Sequence, residues 1–316
     1  MRVFVAGASG AIGRQLLPIL LSAGHSVHGM TRTASKAETI GSAGADPIVA
    51  DAFDAEAVAT AVARAAPDVV VHEMTAISPS AGVRNLDREL AVTNRLRTEG
   101  TRNLLRAAVA AKARRFIAQS FAGWPFARDG GPVKTEEDPL DPNPPQKARQ
   151  TLGAIRELES MVTTARGLEG VVLRYGALYG PGTAISQDGT VVELVRRRRL
   201  PIIGSGAGIW SFVHIGDAAA ATGIAVERGM PGIYNIVDDE PAPVSQWLPE
   251  LAAAVGAKPP YRIPAWLGRL VIGNQGLAMM TESRGGSNAK AKRELGWEPV
   301  FASWRDGFRR GLGRTP

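Results

Sequence analysis

Three glycines near the N-terminus constrain this chain more than any other feature. Residues 3–13 read VFVAGASGAIG, a short apolar run followed by Gly7, Gly10 and Gly13. In a strand–turn–helix unit the first glycine permits the tight turn, the second lets the backbone approach a pyrophosphate, and the third lets helix and strand pack closely. The next helix then directs its N-terminal amides at the phosphates. The motif predicts a dinucleotide site; the alternative is a turn that serves packing alone.

Strand and helix signals alternate through residues 1–120, the pattern of an α/β protein with a parallel sheet and helices on both faces. The predicted strands are Val3–Ala6, Ser26–Met30, Pro47–Val49, Val69–His72, Phe116–Gln119 and Val171–Tyr175. The predicted helices are Leu16–Ala23, Ala55–Ala65, Thr98–Ala111 and Thr151–Ala165. Pro125–Pro145 is rich in Pro, Asp and Gly and predicts a long loop. The last third predicts a smaller domain interleaved with the end of the sheet.

Composition excludes several kinds of site. The chain has no cysteine, which rules out disulfides, thiolate ligands and cysteine nucleophiles and fits a reducing cytoplasm. No apolar run reaches the roughly 18 residues that a membrane span needs, and Gly7 and Ser9 interrupt any signal-peptide pattern. Four histidines without paired spacing predict no metal site. The net charge is +7, and the basic run Arg196–Arg199 predicts a solvated helix end rather than a nucleic-acid contact.

The end of the second predicted strand favours NADP over NAD. An acidic side chain there binds the ribose 2′-hydroxyl, whereas an arginine accommodates a 2′-phosphate. The chain places Thr31 and Arg32 at this point, with Lys36 shortly after and no acid within reach. We therefore predict that these three residues bind the 2′-phosphate; the alternative is that Arg32 points to solvent. Asp51, after the third strand, either binds the adenine amino group or caps the next helix.

The chain resembles the extended short-chain dehydrogenase/reductase superfamily, in its epimerase/dehydratase-like branch, over nearly its whole length. Besides the glycine motif, the matching segments are Val71–Ala76 (VHEMTA), Gly100–Leu105 (GTRNLL), Leu173–Gly182 (LRYGALYGPG), Phe212–Ala219 (FVHIGDAA), Gly232–Asn235 (GIYN) and Ala289–Trp297 (AKAKRELGW). The resemblance implies a Rossmann-type, doubly wound parallel sheet with a smaller C-terminal substrate domain. Residues 1–178, joined by 207–238, would bind NADP, and residues 179–206 and 239–316 would bind substrate.

The resemblance also implies a set of cofactor contacts. They are Gly7, Ser9, Gly10, Ala11, Ile12, Gly13, Thr31, Arg32, Lys36, Asp51, Ala52, Met74, Thr75, Ala76, Gln119, Tyr175 and Gly176. Tyr175 would line the nicotinamide through its backbone and ring. Thr75 is a candidate catalytic residue that is expected to contact cofactor more than substrate. Family helices corresponding to Thr98–Ala111 and Thr151–Ala165 pair subunits, so a homodimer is possible.

The chain departs from this family at the residues that transfer a proton. Members use a Tyr-x-x-x-Lys pair on one helix face, in which the ammonium lowers the pKa of the phenol. Alignment places Thr151 and Ile155 at these positions, and none of the four tyrosines has a lysine four residues later. The family's asparagine position holds Arg97, with Asn94 one helical turn earlier.

Two interpretations follow from this departure. In the first, the protein is an NADPH-dependent reductase of a carbonyl on an aromatic or polyketide-like small molecule, and the proton comes from water or the substrate. It then resembles the tyrosine-less polyketide ketoreductases, such as the simocyclinone ketoreductase. In the second, the protein senses or binds NADP(H) without catalysis. A nucleotide-sugar epimerase or dehydratase is disfavoured, because those reactions depend most on the missing tyrosine.

Ser120 is the first candidate to hydrogen-bond a substrate carbonyl; its alternative role is to cap the strand end. The resemblance implies that the family's catalytic serine position falls on Phe121, with Ser120 beside it. An aromatic substrate could stack on a set of large rings. These are Phe121, Trp124, Phe126 and Trp210, for which ordinary packing is the alternative. His72 and Glu73 are not an acid–base pair, because adjacent strand residues face opposite ways. His72 and His214 are expected to be structural.

Overall fold

Short strands and helices alternate along the chain in a computed structural model, which describes residues 1–78 and 82–313. In chain order the strands are β1 (Arg2–Ala6), β2 (Ser26–Thr31), β3 (Asp46–Val49), β4 (Val69–His72), β5 (Arg115–Phe121), β6 (Val133–Lys134), β7 (Glu169–Tyr175), β8 (Ala177–Tyr179), β9 (Ile202–Ile203), β10 (Ile209–Trp210), β11 (Phe212–His214), β12 (Gly232–Ile236), β13 (Ala242–Pro243), β14 (Arg262–Ile263) and β15 (Gly285–Gly286). The helices are α1 (Ala11–Ser22), α2 (Ala34–Ser42), α3 (Ala55–Ala65), α4 (Leu86–Glu89), α5 (Ala91–Arg95), α6 (Thr101–Ala110), α7 (Arg149–Thr163), α8 (Thr190–Arg196), α9 (Ile215–Glu227), α10 (Val244–Ala254), α11 (Ala265–Thr281) and α12 (Trp304–Arg310).

Seven of these strands form one sheet, in the order β12-β7-β5-β4-β1-β2-β3. Every neighbouring pair is parallel. The chain leaves β1 first towards β2 and β3 and then towards β4 and β5, so the strand order reverses beside β1. Ligands of such sheets bind outside the carboxyl ends of the strands at this reversal. The predicted α/β class with a doubly wound parallel sheet is confirmed.

The sheet is buried on both faces, which is why its central strands are nearly continuous apolar runs. Along β1, Val3 and Val5 face α1 and α9, whereas Phe4 faces the side covered by α3, α6 and α7. All four residues of β4 are buried. The apolar run Val69–Val71 therefore predicted this strand to the residue, and the alanine-rich α3 also begins and ends where the sequence indicated.

A separate apolar core lies in the C-terminal part of the chain. Phe212 meets Trp247 and Phe308 edge to face there, with ring centroids 5.4 Å and 5.3 Å apart. Trp297, in contrast, packs into the core under the main sheet. The two-domain division at residues 178, 207, 238 and 239 stays a prediction.

Two stretches are more ordered or less regular than the sequence indicated. The predicted loop Pro125–Pro145 contains β6, which pairs with β15, and an antiparallel bridge between Phe126 and Leu140. The helix predicted at Thr98–Ala111 instead follows α5 through a π-helical turn at Leu96–Gly100 before α6 begins. This turn shifts the residues that face the sheet, so spacing alone could not place them.

The basic run at the end of α8 is solvated, as expected. Arg197 pairs with Glu193 one helical turn earlier, and Arg198 lies over the exposed Tyr261 ring at 3.6 Å. Among the described residues, no helix combines the length and the apolar character needed to cross a membrane.

Candidate active site

The glycine turn leaves no room for side chains. Gly7 has a φ of +92°, and a Cβ on it would lie 2.7 Å from the Glu73 carbonyl carbon. A Cβ on Gly13 would overlap the carbonyl oxygens of Gly7 and Ala8. Gly10 precedes α1 and offers no side-chain cap, so the first amides of α1 are available to a ligand. The local backbone is thus a cradle of the kind that receives a pyrophosphate.

A cleft of about 1090 Å³, its open mouth included, runs from this turn along the carboxyl ends of the strands. The predicted cofactor residues that line it are Gly7, Ser9, Gly10, Ala11, Ile12, Thr31, Arg32, Lys36, Asp51, Ala52, Met74, Thr75, Ala76 and Gln119. Sequence reasoning missed the lining residues Met30, Thr33, Ala50, Phe53, Glu73, Ile77, Val92, Leu96 and Leu178. Most of these adjoin predicted residues in the chain, which was the available signal.

One end of the cleft is basic. Arg32 and Lys36 are exposed and line it, and Thr31 Oγ1 lies 3.2 Å from Ser9 Oγ. The first turn of α2 contains no acidic residue. Asp51 also lines this end, and its carboxylate accepts a hydrogen bond from the Phe53 amide at 2.9 Å. Asp51 does not cap α3, because Asp54 does.

Three predicted cofactor residues do not line the cleft. Gly13 supports the turn from behind, as described above. The Tyr175 ring is 1 % exposed and points into the core between the sheet and α9, so the expectation that it lines the nicotinamide needs correction. Successive side chains of β7 point to opposite faces of the sheet. Tyr175 therefore faces α9, and Arg174 faces Glu159 on α7. A Cβ on Gly176 would lie 2.7 Å from Ser211 O, so this glycine permits close strand packing.

Glu73 is a buried acid at the edge of the cleft. The Tyr175 hydroxyl lies 2.8 Å from Glu73 Oε1 and 2.6 Å from Thr222 Oγ1, and Thr222 donates its own proton to Ala218 O at 2.8 Å. These three hydrogen bonds need three protons. The Tyr175 and Thr222 hydroxyl groups supply two of them, so the third must come from a protonated Glu73. Burial also favours the protonated form, because it raises the pKa of Glu73 to about 8. The acid is therefore neutral at neutral pH.

The two positions that hold the catalytic tyrosine and lysine in the family are buried in this protein. Thr151 is fully buried; its hydroxyl donates to Asp87 Oδ1 at 3.0 Å and accepts from Asn94 Nδ2 at 3.0 Å. Ile155 is 1 % exposed. None of the four tyrosines is among the residues that line the cleft. The protein itself therefore brings no phenol to the site.

Ser120 is engaged elsewhere. It is buried and donates to Glu159 Oε1 at 2.7 Å, so it has no proton for a substrate carbonyl while this bond stands. Glu159 in turn accepts from Arg174 Nε at 2.8 Å and Nη2 at 2.7 Å. Sequence reasoning missed this pair, although an acid on the apolar face of α7, one turn after Ile155, was a usable signal.

Arg97, at the family's asparagine position, keeps a positive charge close to this pair. It is 8 % exposed, and its Nη1 has no hydrogen-bond partner among the described residues. Burial lowers its pKa to about 10, while the charge of Glu159 opposes that shift. Arg97 is therefore still protonated at neutral pH.

Three of the four predicted substrate rings lie together. Phe121, Trp124 and Trp210 line a small cavity with Ala177, next to the end of the cleft that Gln119 and Leu178 form. Phe126 does not: it is 1 % exposed and packs on Ala122 and Val237. Its backbone pairing with Leu140 turns the ring inward, so for this residue the packing alternative is correct.

The two histidines singled out are structural. His72 Nδ1 accepts from the Met74 amide at 3.1 Å and Nε2 donates to Leu96 O at 3.3 Å, and burial lowers the pKa of His72 to about 4. His214 caps α9 by accepting from the Gly216 amide, and it donates to Gly311 O. In residues 1–78 and 82–313, no three acidic or histidine side chains converge as metal ligands would.

Known proteins match this chain over most of its length. The family model described as NAD dependent epimerase/dehydratase family matches residues 3–237. The chain is 45 % identical over 317 residues to a 3-diazoavenalumate denitrifying reductase of a Streptomyces species, covering 99 % of this chain and 100 % of that protein. It is 28 % identical over 262 residues to a 4-hydroxy-2-methyl-3-oxo-4-farnesyl-3,4-dihydroquinoline-1-oxide ketoreductase of Stigmatella aurantiaca, covering 82 % and 74 %.

Solved structures show the same fold. UDP-glucose 4-epimerase of Thermotoga maritima, with UDP-glucose, has a TM-score of 0.76 at 23 % identity and covers 99 % of this chain and 97 % of its own. The Thermus thermophilus UDP-glucose 4-epimerase complex with NAD has a TM-score of 0.75 at 24 % identity and covers 99 % and 98 %. At these identities the likeness concerns the fold alone.

Proposed function

This chain is an oxidoreductase of the NAD dependent epimerase/dehydratase family, and from that premise we propose that it is an NADPH-dependent reductase of an electrophilic aromatic small molecule. The observation that carries the proposal is the closed site at Thr151 and Ile155, beside an otherwise complete cofactor cleft. Such a reductase positions the cofactor against the substrate for hydride transfer, and the proton comes from the substrate or from solvent.

The cradle fits a phosphorylated dinucleotide. Gly7 and Gly13 have no space for a Cβ, and α1 leaves its first amides open, so these residues would hold the pyrophosphate. Arg32 and Lys36 would hold the 2′-phosphate, since both are cationic and exposed at the far end of the same cleft. When bound, this cofactor supplies a hydride. Gln119 and Leu178 mark the end of the cleft where the substrate would meet it.

The absence of a phenol narrows the choice of hydride acceptor. Replacement of an aromatic diazonium group by hydrogen consumes one hydride and releases N2, and it needs no external proton. Reduction of a ketone consumes one hydride and one proton, which here would come from water or the substrate. We therefore place a diazo-substituted aromatic first, which the 45 % identical denitrifying reductase supports. An aromatic or polyketide-like ketone is second, supported by the quinoline-oxide ketoreductase.

The cofactor assignment predicts the effect of one charge reversal. Arg32→Asp should raise the Kd for NADPH by about tenfold or more, because a carboxylate would then face the 2′-phosphate. It should not raise the Kd for NADH. Calorimetric titration of both cofactors measures this. The matched control is Arg166→Asp, an exposed site away from the cleft. An unchanged NADPH affinity in Arg32→Asp would refute the 2′-phosphate site.

The reaction predicts where the hydride goes. With NADPH deuterated at the transferable position, the protein should convert benzenediazonium-4-carboxylate to benzoate carrying deuterium, with release of N2. Mass spectrometry measures the label, and Gly13→Ala, which has no room for its Cβ, controls for reaction in solution. Turnover of an aryl ketone instead would support the second acceptor. Tight NADPH binding without turnover of either compound would favour a cofactor-sensing protein.

A further inference from the structure

Two small cavities lie side by side near the cofactor cleft. Both are lined by Trp124, Met279 and Ser283. The inner cavity adds Phe121, two residues after Gln119, and Ala177, directly before Leu178; Gln119 and Leu178 line the cofactor cleft. These two cavities, together called the slot, lie between the end of β5 and helix α11, and the inner one is nearer to the cofactor cleft.

The inner end of the slot is aromatic and held in place. Trp210 Nε1 donates to Met279 O at 2.9 Å, which fixes the indole against the wall formed by α11. Its ring lies 5.1 Å from that of the buried Trp247, so packing supports it from behind. Such walls accept a flat ring by stacking.

The outer end of the slot contains a polar side chain without a partner. Gln275 lines this end, is 3 % exposed, and its Oε1 has no hydrogen-bond partner among the described residues. It lies two residues after the break in α11 at Gly273, where φ is +72°. A buried amide oxygen without a donor is unfavourable, and such groups are found mainly where a ligand or water completes them.

The charges around the outer end do not favour an anionic group. Arg128 lines the slot, but its guanidinium pairs with Asp141 at 3.0 Å and Glu282 at 2.6 Å and also donates to Asn143 O. The charge of Arg128 is therefore already balanced by Asp141 and Glu282 and is not available to an anionic ligand. A neutral hydrogen-bond donor suits Gln275 Oε1 better than a carboxylate would.

We propose that the slot binds a flat aromatic molecule bearing a hydroxyl group, and that this hydroxyl donates to Gln275 Oε1. Gln275 is thereby the residue that determines specificity at the end of the substrate remote from the cofactor. The inference rests on the proposed function, since it takes the reacting end of the molecule to lie beside Gln119 and Leu178. A site built to accept a hydroxyl proton rejects analogues that lack it.

The test compares two neutral probes, 4-hydroxycinnamamide and 4-methoxycinnamamide, in which the para oxygen carries a proton or a methyl group. Calorimetry with NADP⁺-saturated protein should give the hydroxyl compound a Kd at least about tenfold lower. Gln275→Leu should abolish this preference, because the acceptor is gone, while Gln246→Leu, an exposed glutamine on α10, should keep it. Thermal unfolding should find Gln275→Leu at least as stable as the parent, since an unpartnered polar atom has been removed.

Three outcomes would overturn the assignment. They are equal binding of both probes by the parent protein, a preference that persists in Gln275→Leu, and tighter binding of 4-carboxycinnamamide than of the hydroxyl compound. Because these measurements need no turnover, they separate the slot from the reaction. A failed deuterium-transfer assay with hydroxyl discrimination intact would contradict the proposed function and leave Gln275 supported.

Discussion

Replacing Glu159 by alanine is expected to destabilise the protein by about 3–5 kcal/mol. Glu159 accepts two hydrogen bonds from Arg174 and one from Ser120, and all three residues are at least nine-tenths buried. Without the carboxylate, the Arg174 charge stays buried and unpaired, and Arg97 loses the nearby negative charge of Glu159. The penalty is that of an uncompensated buried cation, which exceeds the net value of the intact pair.

Urea unfolding measures this change, and the same helix supplies its control. Glu157, two residues earlier on α7, pairs with Arg102 at 2.7 Å, but both side chains are more than two-fifths exposed. Glu157→Ala should therefore lower the free energy of unfolding by no more than about 1 kcal/mol. The double variant Glu159→Leu, Arg174→Met should recover part of the stability lost in Glu159→Ala, because it removes charge and partner together. Equal effects of Glu157→Ala and Glu159→Ala would refute the argument.

The parts of the fold that the sequence predicted are those set by local pattern. Apolar runs covered on both faces marked β4, and the glycine spacing marked the turn because backbone contacts leave no alternative residue there. The basic end of the cleft followed from Arg32 and Lys36, which come shortly after β2 in the chain. Such features need no knowledge of which distant segments meet.

What the sequence did not predict depends on pairing between distant segments. Ser120 and Arg174 are register partners on β5 and β7, so both face Glu159 on α7. That register is invisible in the linear chain, and without it Ser120 was expected to face a substrate. The same parity turned Tyr175 to the opposite face, towards Glu73. Phe126 was misjudged because its bridge to Leu140 lies within a stretch that the composition marked as a loop.

Glu73→Gln is expected to remove much of the loss of stability that this protein undergoes as the pH rises from about 4.5 to about 8. Burial raises the pKa of Glu73 from 4.5 to about 8 in the folded protein, whereas the unfolded chain releases this proton near the ordinary value. Between these two pH values the folded state binds the extra proton, so stability falls as pH rises through the window and levels off above it. At 1.36 kcal/mol per pH unit, the loss from this one group is on the order of 5 kcal/mol.

Glu73→Gln keeps the shape and cannot ionise, so it should match the parent near pH 4 and exceed its free energy of unfolding by several kcal/mol at pH 8. Urea unfolding across this pH range measures the difference. Asp238, whose pKa burial likewise raises to about 8, should leave a residual slope of the same sign in Glu73→Gln. The exposed Glu38→Gln serves as the control and should run parallel to the parent. Parallel curves for Glu73→Gln and the parent would mean that Glu73 is ionised in the folded protein, and the Tyr175 proton would then have to serve the carboxylate.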